Sequence, residues 1–297
     1  MTKRSKSRDH LLTMPKSGIV AIVGRSNVGK STLINTLVGT KVAITTPKPQ
    51  TTRRPVQGII TREEGQVVFV DTPGIMQKSR DTLTKKLNSY AKDSLRDVQA
   101  VMYIADPTRS IGDEEKMALR MIENVTVPKL LVINKIDDKA SKHFIDYYRD
   151  LGSKFSNYVE VSALTSKNTD LIEKWIWEQM PEGEFLYPKF QMTNMGNNEW
   201  LAELIREKLF LRLREEVPYS THVEVNDIRE QSNGTVFVDA TIFTHSERYK
   251  PMIIGARGQG IKEIGQSTRR ELEAVTGKKY FLQLQVAVDP RWVERME

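Results

Sequence analysis

Eight residues near the N-terminus, Gly24-Arg25-Ser26-Asn27-Val28-Gly29-Lys30-Ser31, complete the spacing G-x-x-x-x-G-K-[ST]. Those types in that order suit a bound triphosphate. Two glycines let backbone N–H groups approach the phosphates, the Lys30 ammonium can sit on the outer phosphates, and the Ser31 hydroxyl can ligate Mg²⁺, with Thr32 on the same side. The apolar run Gly18–Val23 comes directly before the motif and a helical pattern directly after it, so a helix would aim its positive end at the same anion. An ordinary glycine turn between strand and helix would not need the four fixed positions.

The phosphate loop does not choose between ATP and GTP. Three later strand ends do. Val67-Val68-Phe69-Val70 reads as a buried strand and delivers Asp71-Thr72-Pro73-Gly74 at its carboxyl end, where Asp71 can hold the metal through water and the Gly74 N–H can reach the γ-phosphate. Leu130-Leu131-Val132-Ile133 ends in Asn134-Lys135-Ile136-Asp137. A carboxylate at Asp137 accepts from the guanine N1–H and the exocyclic amine, which adenine does not present, and the wrong base would leave it unpaired. The Lys135 stem would lie over the base. Tyr158–Val161 leads to Ser162-Ala163-Leu164, whose backbone N–H groups would meet the guanine O6.

Together these motifs resemble the translation-factor-related class of GTPases over about residues 16 to 180. The resemblance implies a switch segment within Lys41 to Pro55, and the sequence agrees, being rich in Thr and Pro with no apolar period. One threonine there would ligate Mg²⁺ and contact the γ-phosphate, ordering the loop only while that phosphate is present. Thr52, with Thr51 next, fits because the class places this residue just before a basic one. Ile75 stands where many signalling GTPases have a water-positioning glutamine. In relatives of that kind, an Asn at the position of Asn27 helps bind K⁺ in place of an arginine finger, and the resemblance implies the same here. Lys30, Thr52 and Gly74 would then carry catalysis by charge stabilisation and positioning, without a side-chain base.

Pro181 closes the first domain (16–181), and residues 182–198 read as a connector. Beyond it, Trp200, Leu201, Leu204, Ile205, Leu209 and Leu213 recur at helical spacing. Strand-like stretches follow at Thr221 to Ile228 and Thr235 to Phe243, with Ser232-Asn233-Gly234 as hairpin turn. Gly255-Ala256-Arg257-Gly258 is a GxxG loop between two short helices, the element with which KH domains clamp a nucleic-acid backbone. Arg257 and Lys262 would supply charge, and Ile253, Ile254, Ile261 and Ile264 would line a groove for unstacked bases. Phe281–Val286 is the last strand.

That order matches the bacterial-type (type II) KH arrangement, so residues 199–297 read as a KH domain with a C-terminal extension. A P-loop GTPase domain with a doubly wound, mostly parallel α/β sheet, followed by this KH domain, resembles the Era family of bacterial GTPases. The resemblance implies slow hydrolysis of GTP to GDP and binding of the 3′ end of small-subunit ribosomal RNA under nucleotide control. It also implies a role in small ribosomal subunit maturation, and a cytoplasmic, monomeric protein with loose peripheral contact at the inner membrane.

Composition constrains the rest. There is no cysteine, which excludes disulfides and thiolate metal sites, and the four histidines are widely separated. No apolar stretch is long enough to span a bilayer, and the basic start (1–15) lacks an apolar signal core. Formal charge is +7, yet Leu201 to Glu297 carries fifteen basic and fifteen acidic residues. Any RNA footprint there must come from local clustering. The excess lies in Met1 to Lys16 and in Lys41 to Arg54, where nucleotide state would present Lys48, Arg53 and Arg54 to RNA or hide them. Two other readings stand on these observations: an RNA-binding module with a structural, barely hydrolysing GTP site, and a membrane-associated GTPase whose KH fold binds protein.

Overall fold

The computed structural model describes residues 14–48, 55–72, 89, 90 and 93–295. Strands β1 (Lys16–Val23), β2 (Val56–Arg62), β3 (Gly65–Asp71), β4 (Ala100–Ala105), β5 (Lys129–Ile133) and β6 (Asn157–Glu160) form one sheet in the order β2-β3-β1-β4-β5-β6. Only the β2–β3 pairing is antiparallel. Strands β3 and β4 are buried at every residue, which requires the continuous apolar runs seen in the sequence, since both faces are covered.

Successive side chains of β1 divide the core. Val20 and Ile22 pack with Leu33, Ile34 and Leu37 of α1 (Lys30–Val38), whereas Ala21 and Val23 pack with Ala118 and Ile122 of α2 (Asp113–Glu123). Tyr148 of α3 (Ile145–Leu151) joins the second layer, and Ile172, Trp175 and Ile176 of α4 (Thr169–Gln179) join the first. The period of two along the strand thus produces the doubly wound architecture. Its loops at the carboxyl ends of the parallel strands converge on one rim, where α/β sheets bind ligands.

The segment read as a connector is fastened to the edge of this sheet. Ile59 N–H donates to Met192 O at 2.9 Å, and Gly58 bridges Thr193. The buried carboxamide of Gln66 both donates to Tyr187 O (2.9 Å) and accepts from Tyr187 N–H (2.8 Å). An otherwise open edge is thereby paired.

The second domain starts with α5 (Asn197–Arg212), followed by the hairpin of β7 (Thr221–Glu230) and β8 (Val236–Thr244). At the turn, Gly234 takes φ +79° and Asn233 Oδ1 accepts from Thr235 N–H at 2.9 Å. Helices α6 (Tyr249–Ile254) and α7 (Gln259–Thr276) then cross over to β9 (Tyr280–Val288), which pairs parallel to β8. The sheet buries one face against the helices, so burial alternates along all of β8. Of the two helices expected to be short on either side of the GxxG loop, only α6 is; α7, after the loop, runs for 18 residues. Its amphipathic pattern continues to Leu272, and Gly277 at φ +69° closes it.

The short helix α6 reaches α7 closely because Gly260 lacks a side chain. A Cβ there would stand 2.5 Å from Ile253 O and 2.8 Å from Ile254 O. Both obstacles are backbone and cannot rotate away. Gly260→Ala should therefore destabilise the second domain by about 1–3 kcal/mol, read as a lower midpoint for its transition in chemical denaturation; an unchanged midpoint would mean the two helices can separate freely.

Candidate functional site

The phosphate loop runs from the end of β1 into α1, and its glycines are dictated by neighbours. A Cβ on Gly24 would lie 2.6 Å from Ile104 O, and one on Gly29, at φ +97°, 2.4 Å from Asn134 Nδ2. Lys30 is buried, and its ammonium donates to Gly24 O and Arg25 O, each at 3.0 Å. Burial pushes its pKa down, against the attraction of Asp71, Glu115 and Glu114. A polyanion at this loop would supply the missing charge and favour the protonated lysine.

Ser31 Oγ donates to Asp71 Oδ2 at 2.7 Å. A hydroxyl and a carboxylate brought together by α1 and the end of β3 are oxygen donors of the kind a hard cation takes, so these residues fit Mg²⁺. Thr72 behaves otherwise than expected. Its hydroxyl donates to Ile22 O at 2.7 Å and is fully buried, so its side chain fastens β3 to β1 and is turned away from a nucleotide. Val28 is likewise a core side chain; its carbonyl faces the site. Thr32 lies in the first turn of α1, where its carbonyl accepts from Thr36 Oγ1 at 3.0 Å. Ser26 O accepts from Arg109 Nη1 at 3.0 Å. Thr51, Thr52, Arg53, Arg54, Pro73, Gly74 and Ile75 lie outside the described residues.

The base-recognition loops are locked to the phosphate loop. Asn134, 1 % exposed, donates through Nδ2 to Val28 O (2.9 Å) and accepts at Oδ1 from Ala163 N–H (2.9 Å). Lys135, at φ +63°, donates to Asn27 O and pairs with Asp106 Oδ2, both at 2.6 Å. Asp137 is exposed beyond them, where a base edge can reach it. At the end of β6, the Ser162 N–H is engaged by Lys167 O at 3.1 Å. The expected presentation of N–H groups by Ser162 and Ala163 is thus replaced, in this structure, by bonds that fix the turn, with Leu164 on its exposed side.

Asp106 is a site residue that motif reading missed. Its signal was a carboxylate directly after an apolar strand, the same placement that Asp71 has. Burial pushes its carboxyl up, but hydrogen bonds from Lys135 and Thr108 outweigh burial and leave it below the usual range.

In the second domain, Gly255 has φ +74° and a Cβ there would meet Gly260 N at 2.6 Å, while Gly258 has φ +76° and open space around it. Ala256, Arg257 and Lys262 are exposed, and Ile254 and Ile261 are half-buried. Arg257 holds φ +51°, a conformation that costs a non-glycine residue energy and is kept where the loop shape matters. Ile253 and Ile264, expected to line a groove, are 0 % and 1 % exposed and pack with Ile205, Leu209 and Ile242 in the core; Ile264 also forms part of the floor of a surface pocket with Lys208, Leu211 and Arg212.

The two domains meet through residues 41–48. Lys41 donates to Glu207 of α5 (2.7 and 2.9 Å) and to Glu271 of α7, and Thr45 N–H donates to Glu207 Oε1 at 2.9 Å. Trp200 Nε1 donates to Lys41 O at 3.0 Å. The Lys48 ammonium caps the carboxyl end of α5 on Phe210 O and Leu213 O, a favourable place for a cation.

A phosphate loop fastened to an Asn-Lys-x-Asp loop on a mostly parallel sheet, followed by a KH fold, defines a guanine-nucleotide-binding P-loop protein with an appended KH domain. Comparison narrows this class. A family model described as 50S ribosome-binding GTPase matches residues 19–135, and a KH domain model matches residues 216–293. The GTPase Era of Halothermothrix orenii is 39% identical over 281 residues, covering 94% of this chain and 95% of that protein. The GTPase Era of Lactobacillus delbrueckii subsp. bulgaricus is 41% identical over 280 residues, covering 93% and 92%. Among solved structures, a single-substitution variant of Aquifex aeolicus Era bound to GDP·AlF₄⁻ aligns with TM-score 0.87 and 38% identity over 95% of this chain and 96% of that one. Era in complex with MgGDPNP and nucleotides 1506-1542 of 16S ribosomal RNA aligns with TM-score 0.88 and 37% identity over 95% and 96%. The chain belongs to the Era family and is a GTPase with a C-terminal KH domain.

Because the Asp106 carboxyl is held below its ordinary value, its contribution to stability is fully present above the ordinary carboxylate pKa and is lost as pH falls through the depressed one. Asp106→Asn should lower the melting temperature at pH 7, and the gap to the wild type should close as pH drops below about 4. A gap independent of pH would exclude the ion pair as its cause.

Proposed function

We propose that this chain binds Mg²⁺ and GTP, hydrolyses GTP slowly, and binds the single-stranded 3′ end of small-subunit ribosomal RNA through its KH domain under nucleotide control. In this reading it serves small ribosomal subunit maturation in the cytoplasm. The observation that carries the reading is the contact of residues 41–48 with α5 and α7. The stretch leading into the nucleotide-sensing region is bonded to Glu207 and Glu271 of the RNA-binding domain. A nucleotide that moves this stretch must make or break those bonds, and RNA that shifts α5 or α7 must act back on the nucleotide by the same factor. The relative bound to MgGDPNP and 16S ribosomal RNA nucleotides supports the choice of ligands.

The test is a titration of a fluorescent RNA of that 3′ sequence against protein loaded with GDP or a non-hydrolysable GTP analogue. Tighter binding with the analogue is expected. Gly258→Asp should weaken binding about tenfold or more at low salt by placing a carboxylate beside the RNA phosphates; wild-type affinity in that variant would remove the GxxG loop from the interface. The same affinity in both nucleotide states would leave two independent modules.

Asn27 supports a monovalent-cation requirement. Its Nδ2 donates to Pro47 O at 2.7 Å, and an amide that donates through nitrogen retains its carbonyl oxygen as a cation ligand. Charge developing on the transferring phosphoryl group needs such a cation. Turnover should be faster in K⁺ than in Na⁺ at matched ionic strength, and Asn27→Ala should abolish the difference; equal rates in the wild type would remove K⁺ from the reading.

A further inference from the structure

We propose that the Arg25 side chain is a positioning group of the GTPase: with Glu115 as its buried counter-charge it holds the phosphate loop against the loop that carries Asp106. The side chain of Arg25 turns inward from the phosphate loop. Nη1 donates to Ser110 O at 2.8 Å, and Nη2 donates to Asp106 O at 3.2 Å and Arg109 O at 3.4 Å. Nε stands 2.9 Å from Glu115 Oε2, with the two side chains 4 % and 0 % exposed. Glu115 Oε1 accepts from the Tyr103 hydroxyl at 2.7 Å, and the Tyr148 hydroxyl bears on the same carboxylate. Burial pushes both tyrosines up, so both remain neutral and Tyr103 serves as the donor.

A charge pair taken wholly out of water is an inefficient stabiliser, and a well-packed apolar pair of similar volume is often at least as stable. What the pair does provide is geometry. The planar guanidinium spreads over three backbone carbonyls and a carboxylate, a task the point charge of a lysine does not perform. Arg25 O, on the other side of the same residue, accepts from Lys30 Nζ. The loop that Arg25 grips returns a bond through Arg109 to Ser26 O and holds Lys135 through Asp106. One side chain therefore sets the distance between the lysine on the phosphates and the lysine by the base. Glu115 also attracts Lys30 and offsets the cost of burying it.

The experiment compares Arg25→Lys, Arg25→Met and the double variant R25M/E115L in the full chain, reading the melting temperature and the dissociation rate of a fluorescent GDP analogue. Arg25→Met leaves Glu115 uncompensated and should lower the melting temperature and speed release. The double variant should recover the melting temperature while release stays roughly ten- to a hundredfold faster than in the wild type, the scale on which removing the hydrogen-bond partners of metal ligands weakens metal sites. Arg25→Lys keeps the charge without the fork and should be stable yet release faster. Where Arg25→Met does not fold, Arg25→Lys alone decides. Wild-type release from the double variant, or from Arg25→Lys, would overturn the proposal and reduce the pair to a packing element.

Discussion

Asn134 donates to Val28 O and accepts from Ala163 N–H, so one buried carboxamide joins the loops that follow β1, β5 and β6. The rest of the nucleotide site depends on this joint. It forces Gly29 to be a glycine, because a Cβ there would fall 2.4 Å from the Asn134 nitrogen. It also fixes where the base-recognition loop stands relative to the phosphates, a distance set by the nucleotide and not adjustable by the protein. Preorganisation of this kind matters for phosphoryl transfer, where positioning and electrostatics do most of the catalysis. Lys135 on Asn27 O and Asp106 adds a second tie between the same loops, and Arg25 a third.

The strands are arranged to make those ties possible. Parallel β1, β3, β4, β5 and β6 all present their carboxyl ends at one rim, so Lys30, Asp71, Asp106, Asn134 and Ser162, distant in sequence, arrive together. The alternation of β1 between two core layers keeps that rim rigid, since β1, β4 and β5 each contribute side chains to both layers. Residues 41–48, between α1 and β2, adjoin this rim and also bond to the other domain.

What was legible in the sequence was local. The phosphate loop, the strand-end motifs and the order around GxxG are written in contiguous residues, and periodicity places them on strands and helices. What was not legible depends on which way a side chain turns. Thr72 lies within a nucleotide motif yet bonds Ile22 O, because its position one residue past β3 still follows the sheet. Ile253 and Ile264 flank the GxxG loop but occupy the core face of their helices; the same apolar types serve a groove or a core, and only packing separates them. The fastening of Met192 and Thr193 along β2 rests on backbone bonds at Ile59 and Gly58, for which composition carries no signal. Glu207 looks like a solvated helix residue until Lys41 is set beside it.

The charge balance of the KH domain follows from the same contact. With equal numbers of basic and acidic residues from Leu201 onward, the domain has no net field to draw a polyanion. Its Glu207 and Glu271 are spent on Lys41 and Lys208, and Lys48 is spent on the carbonyls that end α5. Burial, and then the nearby Arg214, push the Lys48 ammonium pKa down, so its site on α5 combines helix-end attraction with desolvation and repulsion. While residues 41–48 lie on α5, their two lysines are engaged by protein groups, Lys41 by carboxylates and Lys48 by carbonyls, and would be withheld from an RNA bound as proposed. Withdrawing them would free two lysines on one side and leave Glu207 and Glu271 sharing Lys208 as their cation on the other. The field near the KH helices would then change by exchange of partners, without any change in total charge. In the proposed function, such an exchange would couple a small displacement beside the nucleotide to a polyanion bound at the other domain, and it would weaken with added salt because exposed charges are screened and buried ones are not.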